Sequence, residues 1–122
     1  MKLFKCDRCG NLIYTLNDKC EGITCCGLPV KKLEANTTDA AFEKHVPKVY
    51  IEGNTVSVKV GSEEHPMTEE HYIEYIIIET NKGIQINHLK PGDKPETVFL
   101  IEDDEGVLQT YAYCNLHGLW SE

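Results

Sequence analysis

Long apolar segments are missing from this sequence. No uninterrupted apolar run reaches the roughly 18 residues that a membrane-spanning helix needs, although 41% of the chain is hydrophobic. The N-terminal segment Met1–Cys6 contains no apolar stretch ahead of a cleavage site, which argues against a signal peptide. We therefore expect a cytoplasmic protein that has no membrane partner.

Positive charge is also scarce. The chain carries 20 acidic and 12 basic side chains, and its net charge is −8. Nucleic acid is not an expected partner, because binding to phosphates needs clustered Lys and Arg. Internal repeats and low-complexity segments are absent as well. A length of 122 residues suits one domain, or one domain with a small appended module.

The cysteines and histidines are distributed unevenly. Of the six cysteines, all but Cys114 lie between Cys6 and Cys26, whereas every histidine lies in the remainder of the chain. In a reducing compartment, cysteines serve as metal ligands more often than as disulfides. We predict a sulfur-rich module over residues 1–36 and a larger domain, with its own site, over residues 37–122.

The larger domain is predicted to be an antiparallel β-sandwich. Short segments of alternating polar and apolar residues are separated by turn signals such as Gly53-Asn54. The predicted strands are Lys48–Glu52, Thr55–Val60, His71–Thr80, Ile84–Leu89, Glu96–Glu102 and Val107–Cys114, the last of the chain. Ala40–Lys44 can form one or two helical turns, because Pro47 makes a longer helix unfavourable.

The candidate donors of a first metal site are four cysteines: Cys6, Cys9, Cys25 and Cys26. The first two form a C-x2-C-G knuckle, and the other two are adjacent and precede Gly27. Four thiolates suit tetrahedral iron or zinc, and the spacing alone does not choose between these metals. Adjacent side chains on an extended chain point apart, so we expect the backbone to bend here. A disulfide framework is less favoured, and Cys20 is expected to be a free thiol.

The candidate donors of a second metal site are His45, His65, His71, Cys114 and His117. A turn can point Cys114 and His117 at one ion, and four imidazoles with one thiolate exceed the four ligands of structural zinc. Five such donors suit iron with one open position, where a ferrous centre of net positive charge can attract a small anion and reduce it. His88 is expected at the surface or in packing, and Met67 in the core.

At this point the ordered motifs resemble those of the desulfoferrodoxin family, the two-iron form of superoxide reductase. The resemblance covers nearly the whole chain. The motifs are Cys6-Asp7-Arg8-Cys9-Gly10-Asn11, Cys25-Cys26-Gly27, Glu43-Lys44-His45-Val46-Pro47, His65-Pro66-Met67, Glu70-His71-Tyr72-Ile73-Glu74, Leu89-Lys90-Pro91-Gly92-Asp93 and Tyr113-Cys114-Asn115-Leu116-His117-Gly118-Leu119-Trp120.

The resemblance implies a small desulforedoxin- or rubredoxin-like metal knuckle joined to an immunoglobulin-like sandwich, usually as a homodimer. It implies one iron on the four cysteines, and a second iron with the four histidines in its equatorial plane and Cys114 axial. Glu43 is then expected to bind the open position of the ferric state, and Lys44 to attract superoxide and organise water. The implied activity is the one-electron reduction of superoxide to hydrogen peroxide, with rubredoxin as the usual electron donor.

Two other functions stay open from the residues alone. The first is an electron carrier with two closed iron centres, which an accessible coordination position would distinguish from the enzyme. The second is a binding module with structural zinc in the first site and copper in the second. The donor count argues against copper, because a blue-copper site needs two histidines, one thiolate and a weak axial group.

Overall fold

The computed structural model describes residues 2–19 and 21–122, so Cys20, the expected free thiol, lies outside the described residues. The chain forms two compact units, Met1–Glu34 and Ala35–Glu122. Within the described ranges, the regular structure is β apart from one short helix, and no helix has the length and apolar character of a membrane span.

Among its described residues, the first unit contains five short strands. They are β1 (Leu3–Lys5), β2 (Leu12–Tyr14), β3 (Thr24–Cys25), β4 (Leu28–Pro29) and β5 (Lys31–Lys32). Strands β2, β1 and β5 form one antiparallel sheet in that order, and β3 and β4 form a separate hairpin. A unit of this size buries too little apolar surface to be stable without a metal or another cross-link.

The second unit is a sandwich of two antiparallel sheets, preceded by the helix α1 (Phe42–His45). One sheet has the order β10-β7-β6 and the other β12-β11-β8-β9. The strands are β6 (Pro47–Glu52), β7 (Thr55–Val60), β8 (Ile73–Thr80), β9 (Gly83–His88), β10 (Glu96–Leu100), β11 (Val107–Cys114) and β12 (Gly118–Ser121).

The core of the sandwich forms where the inner faces of the two sheets meet. Successive side chains of a strand point to opposite faces, so Val56, Val58 and Val60 of β7 are all buried while the residues between them are not. Phe99 of β10 packs into the same cluster. The opposite sheet contributes Ile73, Ile76, Ile78, Ala112 and Cys114. A candidate metal donor therefore belongs to the hydrophobic core.

The predicted fold class is confirmed: the chain is mainly β, with a cysteine knuckle followed by an antiparallel sandwich. Strands β7 and β11 have the predicted bounds. Gly53 and Asn54 form the predicted two-residue turn, and Gly53 has φ +59°, as the first central position of a type II′ turn requires.

One strand was missed, since Val107–Cys114 is not the last. Gly118–Ser121 forms β12 and pairs with β11, with Cys114 opposite Gly118. This strand has only four residues, too few to show a clear alternation. Its consequence is large, because the Cys114–His117 segment becomes the connection of a β-hairpin.

Gly61 supports the backbone of the helix α1. It has φ +84°, and a Cβ at this position would lie 2.7 Å from the Lys44 carbonyl oxygen and 2.8 Å from that of Glu43. The Gly61 N–H donates to the Val46 carbonyl at 3.0 Å. Glycine is therefore required both by the left-handed conformation and by the close approach of the segment that precedes His45.

We expect Gly61→Ala to destabilise the sandwich by about 2–4 kcal/mol, because it adds a steric clash to a strained φ. Gly92→Ala is the matched control, since Gly92 has φ +91° but open space around its Cβ position. Denaturant unfolding can be followed by the fluorescence of Trp120, the only tryptophan. An equal loss of stability in both variants would show that the clash contributes nothing.

Candidate metal centres

The first two cysteines lie in a turn directly after β1. The Gly10 N–H donates to the Cys6 carbonyl at 2.9 Å, and the Cys6 N–H donates to the Asn11 carbonyl at 2.9 Å. Gly10 has φ +78°, a conformation that costs glycine little. The turn thus brings Cys6 and Cys9 to the same side of the knuckle.

The adjacent cysteines lie at a hairpin turn. Cys25 is the last residue of β3, and it pairs with Leu28, the first residue of β4. The two residues between them, Cys26 and Gly27, have φ of 55° and 74°, the pattern of a type I′ turn. The predicted bend is confirmed, and it explains how neighbouring side chains can converge instead of pointing apart.

The four sulfur atoms lie within 4.8 Å of one another, and the Sγ atoms of Cys9 and Cys25 are 3.7 Å apart. The Cys9 backbone amide lowers the pKa of Cys6 to about 7, whereas hydrogen bonding with the Cys9 and Cys6 side chains raises the pKa of Cys25 to about 12. Four thiolates this close repel one another, so a cation is needed to hold all of them deprotonated.

The histidine-rich donors also converge, although they are far apart in sequence. Donor atoms of His45, His65, His71 and Cys114 lie within 4.8 Å of one another. His117 joins them, because its Nδ1 lies 3.0 Å from His45 Nε2 and 3.9 Å from Cys114 Sγ. Two nitrogens bound at right angles to one ion, each about 2.1 Å from it, would lie about 3.0 Å apart.

The four imidazole rings form a closed square. Neighbouring rings have centroids 4.6–4.9 Å apart and cross at 77–87°, in the order His45, His65, His71, His117. His45 and His71 lie across one diagonal, with centroids 6.1 Å apart. Stacked packing would bring ring faces together, whereas this arrangement directs ring edges, which carry the nitrogens, toward a common centre.

Backbone carbonyls fix the tautomers of two histidines. The His45 Nδ1–H donates to the Ala41 carbonyl at 2.6 Å, and the His65 Nδ1–H donates to the Pro66 carbonyl at 2.7 Å. The Nε2 atom of each ring therefore carries a lone pair, and it is this atom that faces the cluster. Hydrogen bonds of this kind orient metal-binding imidazoles and increase their basicity.

The cluster contains polar atoms that the rest of the described chain does not satisfy. The Nε2 atoms of His65 and His71 are buried, and neither has a hydrogen-bond partner among residues 2–19 and 21–122. Burial lowers the pKa of His65 to about 4 and also lowers the pKa values of His45 and His71, which favours the neutral form of these three rings. An unpaired buried acceptor costs about 1–3 kcal/mol. A metal ion that accepts the lone pairs removes this cost, so the donor set fits a metal.

Cys114 approaches the cluster from the hydrophobic core. Its side chain is fully buried, and burial raises the pKa of the thiol, while the backbone amides of His117 and Leu116 act in the opposite direction. His71 and His117 are only partly buried. The thiol thus lies on the core side of the cluster, and two of the rings border solvent.

The two residues expected to assist the reaction lie in α1, directly before His45. Glu43 and Lys44 are both exposed, and the Glu43 carbonyl accepts hydrogen bonds from Glu63 N–H at 2.9 Å and Ser62 Oγ at 3.3 Å. Besides burial and the other histidines, the charge of Lys44 contributes to the lowered pKa of His71. The backbone of this segment is fixed while its two charged side chains extend into solvent.

Residues outside the predicted set also shape the centre. The Asn115 Oδ1 accepts a hydrogen bond from Tyr72 N–H at 2.9 Å, and its Nδ2–H donates to the Glu70 carbonyl at 3.0 Å. Asn115 therefore ties the turn after Cys114 to the segment around His71. The sequence held one signal of this, since an asparagine directly after a candidate ligand is a turn residue that can bond the backbone.

Two other predictions concern residues beside the cluster. His88 is exposed and stacks on Tyr75 with ring centroids 4.6 Å apart, as expected for a surface histidine. Met67 is partly buried against the core. Its Sδ accepts a hydrogen bond from the Ile73 N–H at 3.3 Å. It therefore stabilises the loop between His65 and His71.

Comparison with known proteins places the chain in a family. A family model described as Desulfoferrodoxin matches residues 37–122. A desulfoferrodoxin homolog from Archaeoglobus fulgidus is 45% identical over 120 residues, which cover 98% of this chain and 94% of that protein. The chain belongs to the desulfoferrodoxin family. A desulfoferrodoxin from Syntrophotalea carbinolica is also 45% identical, over 99% of this chain and 94% of its own.

A solved structure extends the likeness to the whole fold of this desulfoferrodoxin family member. The crystal structure of the superoxide reductase from Treponema pallidum has a TM-score of 0.83 and 39% identity, and 98% of each chain is covered. The four-cysteine group and the group of four histidines and one cysteine are consistent with the two iron sites of the family. Iron is therefore the cofactor expected in both.

We expect each donor set to bind its iron independently of the other. Cys25→Ser should lower the iron content from two atoms per chain to one and remove only the tetrahedral thiolate spectrum. His65→Ala should remove the other iron, because the cluster loses a donor. The measurement is elemental analysis with optical spectra of protein purified without oxygen. His88→Ala is the control and should retain both irons; a loss of iron there would contradict the assignment.

Proposed function

We propose that this chain is a superoxide reductase that acts at the histidine-rich centre. The half-reaction takes one superoxide, one electron and two protons to one hydrogen peroxide. The observation that carries the proposal is the square of four imidazoles with Cys114 on its core side, in which the Nε2 atoms of His65 and His71 have no partner in the described chain. The likeness to the superoxide reductase from Treponema pallidum supports it.

The burial of the donors supports access for a small molecule from one direction. Cys114 is fully buried in the core cluster, whereas His71 and His117 are partly exposed. An anion from solvent would therefore approach on the side opposite the thiol. A diatomic anion needs no deep pocket to reach such a site.

The charges of the donors favour an anionic substrate. When bound, ferrous iron supplies one electron and a free coordination position. Four neutral imidazoles and one thiolate leave one net positive charge with a divalent ion, so the centre attracts an anion. Cys114 adds the only negative charge of the donor set, and burial in a low-dielectric core strengthens its electrostatic influence.

Glu43 and Lys44 are the residues we propose to assist the reaction. Lys44 places a cation on the segment that contains His45, and its influence on His71 indicates that its charge reaches the centre. We propose that Lys44 attracts superoxide and orders water for proton delivery. We propose that Glu43, on the same helix, would supply a carboxylate ligand to the metal in its oxidised form.

Other expectations remain predictions. Rubredoxin is the expected electron donor and a homodimer the expected assembly, as the family resemblance implied. The division into a four-cysteine iron module over residues 1–36 and a superoxide reductase domain over residues 37–122 is proposed on the same basis. Along the sequence, the boundary between the two compact units falls between Glu34 and Ala35. A one-electron donor is required in any case, because the half-reaction consumes an electron in each cycle.

The stoichiometry of products distinguishes superoxide reduction from dismutation. We expect the reduced protein to produce one hydrogen peroxide per superoxide consumed and to release no dioxygen, whereas dismutation releases dioxygen and half as much peroxide. The measurement uses a superoxide source with a peroxide assay and an oxygen electrode. His65→Ala should show only the spontaneous decay. An electron carrier with closed centres would leave superoxide decay unchanged while still exchanging electrons, and this result would reject the proposal.

We expect Lys44→Ala to slow the encounter with superoxide several-fold and to flatten its dependence on ionic strength. The reason is that the chain has a net charge of −8, so a local cation must offset the repulsion, and charges beyond about 8–10 Å are screened. Pulse radiolysis across ionic strengths gives the rate constant.

Lys82→Ala is the matched control for this prediction, because it changes the net charge equally. Lys82 follows the far end of β8, and the eight residues of that strand span about 26 Å. Its side chain pairs with Glu102 and Asp104. Its removal should leave the encounter rate almost unchanged, and equal effects of both variants would mean that only net charge matters.

A further inference from the structure

Trp120 is the largest fully buried side chain of the sandwich and the only tryptophan of the chain. It lies in β12, the strand that the sequence did not predict. It is not part of the main hydrophobic cluster between the sheets. Its indole contacts two residues of the histidine-rich centre, His45 and His117.

One face of the indole covers the ring of His45. The two ring centroids are 4.8 Å apart and the planes are inclined by 28°. Phe42 packs edge-on against the indole, at 5.2 Å and 86°. The Nδ1–H of His45 also donates a hydrogen bond to the Ala41 carbonyl. The hydrogen bond restrains one edge of the imidazole, and the stack on the indole opposes tilting of the ring.

The polar atom of the same indole holds a second member of the centre. The Trp120 Nε1–H donates to the carbonyl oxygen of His117 at 3.0 Å. His117 is the last residue of the turn between β11 and β12, and this hydrogen bond closes the turn. The bond therefore restrains the backbone of His117, whose Nδ1 lies 3.0 Å from His45 Nε2.

We propose that Trp120 is a positioning residue of the histidine-rich centre, and that its indole sets the orientation of His45 by stacking and of His117 by hydrogen bonding. The two rings are neighbours in the square, with Nε2 and Nδ1 atoms 3.0 Å apart, so one rigid side chain determines an entire edge of the donor set. His65 and His71 lie on the opposite edge. The inference rests on the proposed use of these histidines as metal ligands.

Three variants of the full chain separate the two contacts. Trp120→Phe retains an aromatic ring for His45 but has no N–H for the His117 carbonyl. Trp120→Leu removes both contacts. Phe99→Leu is the control, because Phe99 is also a buried aromatic residue but lies in β10 and packs in the main core. It removes an aromatic ring without touching the edge formed by His45 and His117.

The probe is Co²⁺, which is paramagnetic and needs no superoxide or electron donor. Imidazole N–H protons near Co²⁺ give strongly shifted proton NMR signals that disappear in D₂O, and their positions are sensitive to ring orientation. Thiolates carry no such proton, so the four-cysteine site does not contribute imidazole signals. The affinity for Co²⁺ is measured in parallel by competition with a chelator.

We expect Trp120→Leu to shift the N–H signals of His45 and His117, to leave that of His65 in place and to weaken Co²⁺ binding at this site by about 10–100-fold, the usual effect of losing an outer contact of a ligand. Trp120→Phe should shift the His117 signal but not that of His45, and should weaken binding by less than about tenfold. Phe99→Leu should leave all signals and the affinity unchanged.

Unchanged His45 and His117 signals in Trp120→Leu would overturn the proposal, and so would equal shifts in Phe99→Leu. If Trp120→Leu does not fold, Trp120→Phe decides, because an unmoved His117 signal contradicts the hydrogen-bonding role. None of these signals depends on turnover. A wild-type chain that fails to reduce superoxide but shows the expected shifts would reject the proposed function and leave the role of Trp120 intact.

Discussion

The larger unit depends on one constraint: it buries imidazole nitrogens that have no hydrogen-bond partner in the described part of the chain. The Nε2 atoms of His65 and His71 are buried without a partner in that part of the protein, and the second nitrogen of His65 is already bonded to a carbonyl. The ring cannot turn to satisfy Nε2 without losing that bond. A bound cation offsets the cost, so metal binding and folding of the sandwich are linked, and metal in excess stabilises the folded state.

A second constraint follows from charge. A chain of net charge −8 repels an anion at long range, yet the proposed substrate is an anion. Charges farther than about 8–10 Å from the centre are largely screened. Only the charges close to the centre therefore determine whether an anion is attracted there. Imidazoles bind a metal in their neutral form, so Cys114 is the donor that would offset the charge of the ion, and Lys44 adds a cation beside His45. The acidic remainder of the surface then has little effect on the last step of approach.

The sequence predicted what depends on local patterns and missed what depends on packing. The alternation of Val56, Val58 and Val60 with polar residues predicted β7, and Gly53-Asn54 predicted its turn. β12 was missed because it is short and begins at a glycine. The five donors were proposed from residue types and family resemblance, since nothing local to His45 indicates a partner at His117. The perpendicular rings and the stack of Trp120 on His45 result from tertiary packing, which no sequence periodicity encodes.

The two donor sets are assembled by opposite means. The four cysteines lie within one short stretch, and a knuckle and a type I′ turn bring them together, at the expense of about 1–2 kcal/mol for a non-glycine residue, Cys26, with φ 55°. The donors His45 and His117 are 72 positions apart, and they meet only when β11 pairs with β8 and β12. Closing such a distance has a larger entropic cost and slows folding. The cysteine site can therefore form from local structure, whereas the histidine-rich centre requires the pairing of β11 with both β8 and β12.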